Sequence, residues 1–163
     1  MRGLDELLSA LDEQVERLHA RAVLMRALRE GVLRDDLTAL ADLLSRQAEA
    51  EGEARAAEQR LLQIRRGVAG LADLPADRAT LGRLAAALGG PAAIALNDRR
   101  ERLLAAVENL RRESASTAHL VRHAVEFNSR LISALLGEGE GPTYSASGTV
   151  ESVCQKGTFQ QSV

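Results

Sequence analysis

Leu4-Asp5-Glu6-Leu7-Leu8-Ser9-Ala10-Leu11-Asp12-Glu13-Gln14-Val15-Glu16-Arg17-Leu18 is the stretch that decides the fold. Leu4, Leu8, Leu11, Val15, Leu18, Ala22 and Met25 recur at alternating steps of four and three, and Val32 follows one heptad later. Such spacing puts the apolar side chains on one side of a helix, with charged residues between them. It predicts a helix from Leu4 to about Glu30, roughly 40 Å long at 1.5 Å per residue. Gly31 is the expected stop, because glycine accepts the left-handed conformation that ends helices. Val32 is expected to pack just beyond it.

Outward from there, Asp35 or Asp36 is placed to cap a second helix, since a carboxylate accepts hydrogen bonds from free N–H groups and suits the helix dipole. Leu37, Leu40, Leu43 and Leu44 open its apolar face. Ala50, Ala54, Ala57, Leu61, Ile64, Val68 and Leu71 continue it. Alanine allows close approach but buries little area, so the middle of this helix is expected to be the softest part of the fold. A break follows at Asp73-Leu74-Pro75-Ala76-Asp77, because proline lacks the N–H and restricts its predecessor. Asp77 is the expected cap of a short helix carrying Leu81, Leu84 and Leu88. Gly89-Gly90-Pro91 reads as a stop followed by a start. The last helix is expected from Ala92 to about Leu136. Its seam runs through Leu103, Val107, Leu110, Ser114, Thr117, Val121, Ala124 or Val125, Asn128, Leu131 and Leu135.

Composition agrees. A chain of 163 residues suits one domain. Aromatic residues are only 2% against 45% hydrophobic, so any core must be built from Leu, Ala, Val and Ile. Ala and Leu with abundant Arg and Glu indicate long helices, where strands would want more β-branched and aromatic residues. The expected fold is all-α: an extended antiparallel helical bundle or coiled coil of three long helices, with a short connecting helix and a flexible C-terminal tail. The bundle domain is expected over residues 1–136 and the tail over 137–163. Gly137-Glu138-Gly139-Glu140-Gly141-Pro142 is a linker. Thr143 to Val163 is too polar to offset its ordering entropy and is expected to be disordered when free. Ser147-Gly148 suits the turn of a weak hairpin.

The formal net charge of −2 gives no basic field for nucleic acid. Cys154 is the sole cysteine, so no internal disulfide forms and a reducing compartment is the simpler expectation. The amino terminus turns acidic at once and lacks the apolar core of a signal peptide. No apolar run approaches the roughly 20 residues needed to cross a bilayer. A soluble, cytoplasmic protein without membrane insertion is expected.

Catalytic constellations do not assemble. Glu16 and His19 match one carboxylate–histidine pair of a di-iron bundle, which needs two pairs and two further glutamates. His119 and His123 are one turn apart with Glu126 nearby, but Leu120 occupies the place where a zinc protease needs its glutamate. Gly137, Gly139 and Gly141 follow a helix instead of joining strand to helix, so they make no phosphate loop. Nothing places a base beside Cys154. Arg99-Arg100 and Arg111-Arg112 alternate with Glu101, Glu108 and Glu113, as on a solvated helix face. The chain is expected to be no enzyme and to need no cofactor or metal.

The order of parts resembles the FlgN family. The break and second helix, Arg29-Glu30-Gly31-Val32-Leu33-Arg34-Asp35-Asp36-Leu37-Thr38-Ala39-Leu40, are similar to the family's small–acidic–hydrophobic pattern. Phe127-Asn128-Ser129-Arg130-Leu131-Ile132-Ser133-Ala134-Leu135-Leu136 resembles the family's final-helix ending, and Tyr144 with Gly148 resembles its tail. The resemblance implies a cytoplasmic chaperone that binds the carboxy-terminal segments of the hook–filament junction proteins FlgK and FlgL. It would prevent their premature self-assembly and deliver them to the flagellar type III export gate and its ATPase components. A monomer or weak dimer is expected. The alternatives are a structural coiled-coil protein that self-associates, a chaperone for another flagellar client such as the filament cap or flagellin, and a metal protein or enzyme on a helical bundle.

The final helix carries a second stripe beside its seam: Leu120, Ala124, Phe127, Leu131 and Leu135. A stripe this wide is either a fuller core or an exposed groove for an amphipathic client segment. Phe127 is the natural anchor if it is a groove; if it is core, Phe127→Ala should unfold the chain. Tyr144 is either a docking residue for the export gate or an ordinary linker tyrosine.

Overall fold

A computed structural model of the chain describes residues 2–136, 143–144 and 150–151. Helix α1 spans Arg2–Arg34, α2 Leu37–Leu71, α3 Leu81–Leu88 and α4 Gly90–Leu135, with a 3-10 turn at Ala76–Arg78. The expected all-α helical bundle is therefore the observed fold. Past the helices, Thr143–Tyr144 (β1) pairs antiparallel with Val150–Glu151 (β2), Thr143 opposite Glu151. The turn expected at Ser147-Gly148 and the rest of the tail, Cys154 included, lie outside the described residues. The chain divides into two compact units, Met1–Arg122 and His123–Val163.

In the first unit α1 supplies the continuous apolar face, burying Leu7, Leu11, Val15, Leu18, Ala22, Leu28 and Gly31. One core cluster joins Leu7 and Leu11 to Val68 and Ala69 of α2, Leu84 and Ala85 of α3, and Leu96 of α4. A second joins Val15 and Leu18 to Ala106 of α4. The ion pair Arg21–Glu51 (3.8 Å) links α1 to α2. The α1–α4 contact is held by two charge clusters. Asp12 pairs with Arg99 (3.2 Å) and Arg102 (3.0 Å), and Glu113 pairs with Arg26 (3.1 Å) and Arg29 (2.9 Å). The buried Thr117 hydroxyl donates to the Met25 carbonyl at 2.9 Å. Residue numbers rise together along these pairs, so α1 and α4 run parallel.

Gly31 does not end α1. The helix continues to Arg34, and Asp35 takes the left-handed conformation with φ 54°. Asp36 N–H bonds the Gly31 carbonyl (3.2 Å) and Asp35 N–H the Val32 carbonyl (3.3 Å), the double bond of a Schellman ending. Aspartate is among the few side-chain residues that tolerate this conformation. Gly31 has a packing role instead: a Cβ there would lie 2.9 Å from the Leu40 Cδ2 of α2. Asp36 then caps α2, its carboxylate accepting from Ala39 N–H at 3.0 Å. The break after α2 falls where proline predicts it, with Asp73 (φ 51°) ending the helix as Asp35 ends α1. Asp77 lies in the 3-10 turn, and α3 is capped by Thr80, whose hydroxyl accepts from Arg83 N–H at 3.3 Å. Gly89 (φ 63°) and Gly90 (φ 52°) make the corner into α4, with Pro91 in its first turn.

The α4 seam also shifts. Leu96, Ala106 and Thr117 are buried, while Val107 and Val121 are exposed. A straight helix drifts by about 20° per heptad from a strict seven-residue repeat, so the buried line moves onto neighbouring positions.

The alanine-rich middle of α2 contributes least. Ala50, Ala54 and Ala57 are only half-buried, and Val68 is the first buried residue in that helix. A space of about 300 Å³ there is lined by Gln14, Arg21, Glu51, Ala54, Arg55 and Glu58. The buried Gln14 Oε1, Arg21 Nε and Gln47 Oε1 have no hydrogen-bond partner in the protein, which is costly. Native-state amide exchange should therefore be faster over residues 45–60 than over 61–69. By urea denaturation, Leu84→Ala should cost about 3 kcal/mol, as for a buried leucine, and Leu44→Ala at the exposed end less than about 0.5 kcal/mol.

Candidate functional site

The five stripe residues all fall on α4, in an unbroken helix that puts positions three and four apart on one side. Leu120 belongs to the first unit and is half-buried. Ala124, Phe127, Leu131 and Leu135 belong to the second unit. Ala124 is half-buried, whereas Phe127 is 65% exposed, Leu131 49% and Leu135 77%. No residue of α4 after Thr117 is buried. Of the two readings of the stripe, core and exposed surface, the second describes Phe127, Leu131 and Leu135.

The exposed apolar surface is wider than the five residues. Val125, Ile132 and Leu136 are exposed beside them. At about 100° per residue, Phe127, Leu131, Leu135, Ile132, Val125 and Leu136 cover roughly half of the helix circumference. Sequence periodicity gives one seam position to Ala124 or Val125 and leaves Ile132 and Leu136 unassigned. Their exposure was not legible because an apolar position in a regular repeat looks the same whether or not another element covers it.

The opposite side is polar: Arg122, His123, Glu126, Ser129, Arg130 and Ser133 follow one another around it. His123 Nδ1 lies 3.9 Å from Glu126 Oε2. Among the described residues, no group of three His, Cys, Asp or Glu side chains is gathered as metal ligands would be. No described helix is long and apolar enough to cross a membrane. The backbone of Tyr144 lies in β1, and its side chain lies outside the described residues.

What this arrangement offers chemically is apolar area that includes one large aromatic, Phe127. An exposed apolar surface of this extent marks an interaction site more often than it marks a free face. A family model described as FlgN protein matches residues 1–152. Searches of curated proteins and of solved structures each return no match. Since Phe127 is exposed, Phe127→Ala should change the stability of the isolated protein by less than about 1 kcal/mol in a urea titration.

Proposed function

The chain belongs to the FlgN family of flagellar export chaperones, and from that premise we propose that the exposed α4 stripe is its client-binding surface. The clients are FlgK and FlgL, held by their carboxy-terminal amphipathic segments in the cytoplasm and delivered to the flagellar export gate. The observation that carries this reading is the exposure of Phe127, Leu131 and Leu135 on one side of a helix.

The physics is helix-on-helix recognition. A client segment that is unpaired before export lays its apolar side chains against the stripe, hiding the surface through which it would self-assemble. Burying about 400 Å² of apolar area would contribute about 10 kcal/mol gross at 25 cal/mol per Å². Ordering the client and lost rigid-body freedom offset most of this, leaving a moderate and reversible affinity. Release then needs no covalent step. Phe127 is the anchor, and Leu131 and Leu135 extend the contact along the helix; Ala124 and Leu120 border it. Tyr144, just past the helix, is assigned to docking at the export gate on the strength of the family resemblance.

Pull-down with the carboxy-terminal segments of FlgK and FlgL tests the assignment. The unmodified protein should capture at least one of them. Phe127→Asp and Leu131→Asp should each weaken capture by about thirtyfold, as expected for an interface hot spot worth about 2 kcal/mol. Absence of capture by the unmodified protein would overturn the client identity. A stable oligomer in sedimentation that dissociates on Phe127→Asp would instead assign the stripe to self-association.

A further inference from the structure

We propose that a leucine-lined channel between α2, α3 and α4 in the first unit is a second docking site, and that it takes an acidic amphipathic segment of a protein partner. The channel is a pair of adjoining cavities. One, of about 200 Å³, is lined by Leu61, Leu62, Leu81 and Leu103 together with Leu11 of α1. The other, of about 410 Å³, adds Leu104 and Arg100. Arg65, Leu81 and Leu103 line both, so the two lie side by side and share walls. Leu104 is 55% exposed, which makes the channel accessible from outside.

The gap has a local cause. Gly82 on α3 lines the second cavity, and a Cβ built there would meet nothing within 4 Å. A side chain at this position would project into open space beside Leu81 and Arg100. The helix is otherwise well specified there, by the Thr80 cap and the buried Leu84 and Ala85.

Charge selects the occupant. Among the described residues, Arg65 and Arg100, like Arg60, Arg66 and Arg83, are in no ion pair; what sets these two apart is that they line the leucine cavities. Arg65 Nε is buried and has no hydrogen-bond partner in the protein. Glu58 also lines the first cavity, so the lining carries two guanidinium groups against one carboxylate. A guanidinium beside leucines, one N–H already withdrawn from solvent, favours a carboxylate attached to an apolar body. Two cavities in series suit successive side chains of one helix, about 5–6 Å apart at neighbouring turns, better than one compact ligand. The site shares no residue with the α4 stripe proposed for clients, so a loaded chaperone has a surface left for a second protein.

The test uses the full chain and fluorescein-labelled synthetic helices of Leu and Glu, covering the i,i+3 and i,i+4 spacings, with Leu–Gln counterparts, read by fluorescence anisotropy. At least one Leu–Glu helix should bind about tenfold more tightly than its Leu–Gln counterpart, the scale of a charge-assisted hydrogen bond. Its binding should fall about tenfold in Arg65→Gln and also in Gly82→Leu, which fills the channel without touching the charge. Phe127→Asp should leave it unchanged. Circular dichroism melting confirms that each variant is folded, and Leu104→Asp on the exposed rim replaces either one that is not. Equal binding of the Glu and Gln helices, no binding of any Leu–Glu helix, indifference to the channel variants, or loss in Phe127→Asp would each overturn the proposal.

Discussion

One apolar line, the buried face of α1, holds the first unit together. Leu7 and Leu11 reach α2, α3 and α4 at once, and Val15 and Leu18 reach α4. No other helix contributes so long a buried run: α3 buries Leu84 and Ala85, and α4 buries Leu96, Ala106 and Thr117. With almost no aromatic residues, the core gains its area from many leucine contacts spread along a rod. Such a core loses little at any one point and depends on the rod remaining a single helix. Gly31 lies inside that buried face and packs closely against Leu40 of α2.

Direction and register come from polar groups at the edge of that line. Asp12 between Arg99 and Arg102, and Glu113 between Arg26 and Arg29, match α1 to α4 in one parallel alignment. These pairs are partly exposed, so each adds little stability. Their value is in discrimination. A slip of α4 by one heptad would set Arg26 and Arg29 against Leu120 in place of Glu113 and leave the Thr117 hydroxyl without the Met25 carbonyl. Leucine seams alone tolerate such slips; unpaired charges and a buried hydroxyl do not.

Both proposed surfaces arise where this packing stops. After Thr117 the apolar repeat of α4 continues, but nothing in it is buried, and a regular seam becomes an exposed stripe. Beside Gly82, where a Cβ would meet nothing within 4 Å, α2, α3 and α4 leave a space uncovered. The soft middle of α2 is a third departure, where mostly polar side chains line space that alanine leaves open. Burial in this chain is thus local, and the uncovered remainder is available for partners.

Periodicity and punctuation determined most of the architecture. Heptad spacing marked the long helices, Pro75 marked the break after α2, Gly89-Gly90-Pro91 the corner into α4, and Asp36 the start of α2. These are local effects, carried by backbone dihedrals, missing N–H groups and caps within a few residues. Tertiary structure alone decided which apolar residues are covered. Leu120 and Phe127 are members of one stripe, one heptad apart, yet one is half-buried and the other exposed. It also decided that Asp35, not Gly31, takes the left-handed turn, while Gly31 stays within the helix with Leu40 packed against it. Spacing states where a side chain lies on its own helix; burial depends on what another helix places against it, and no single stretch of chain contains that information.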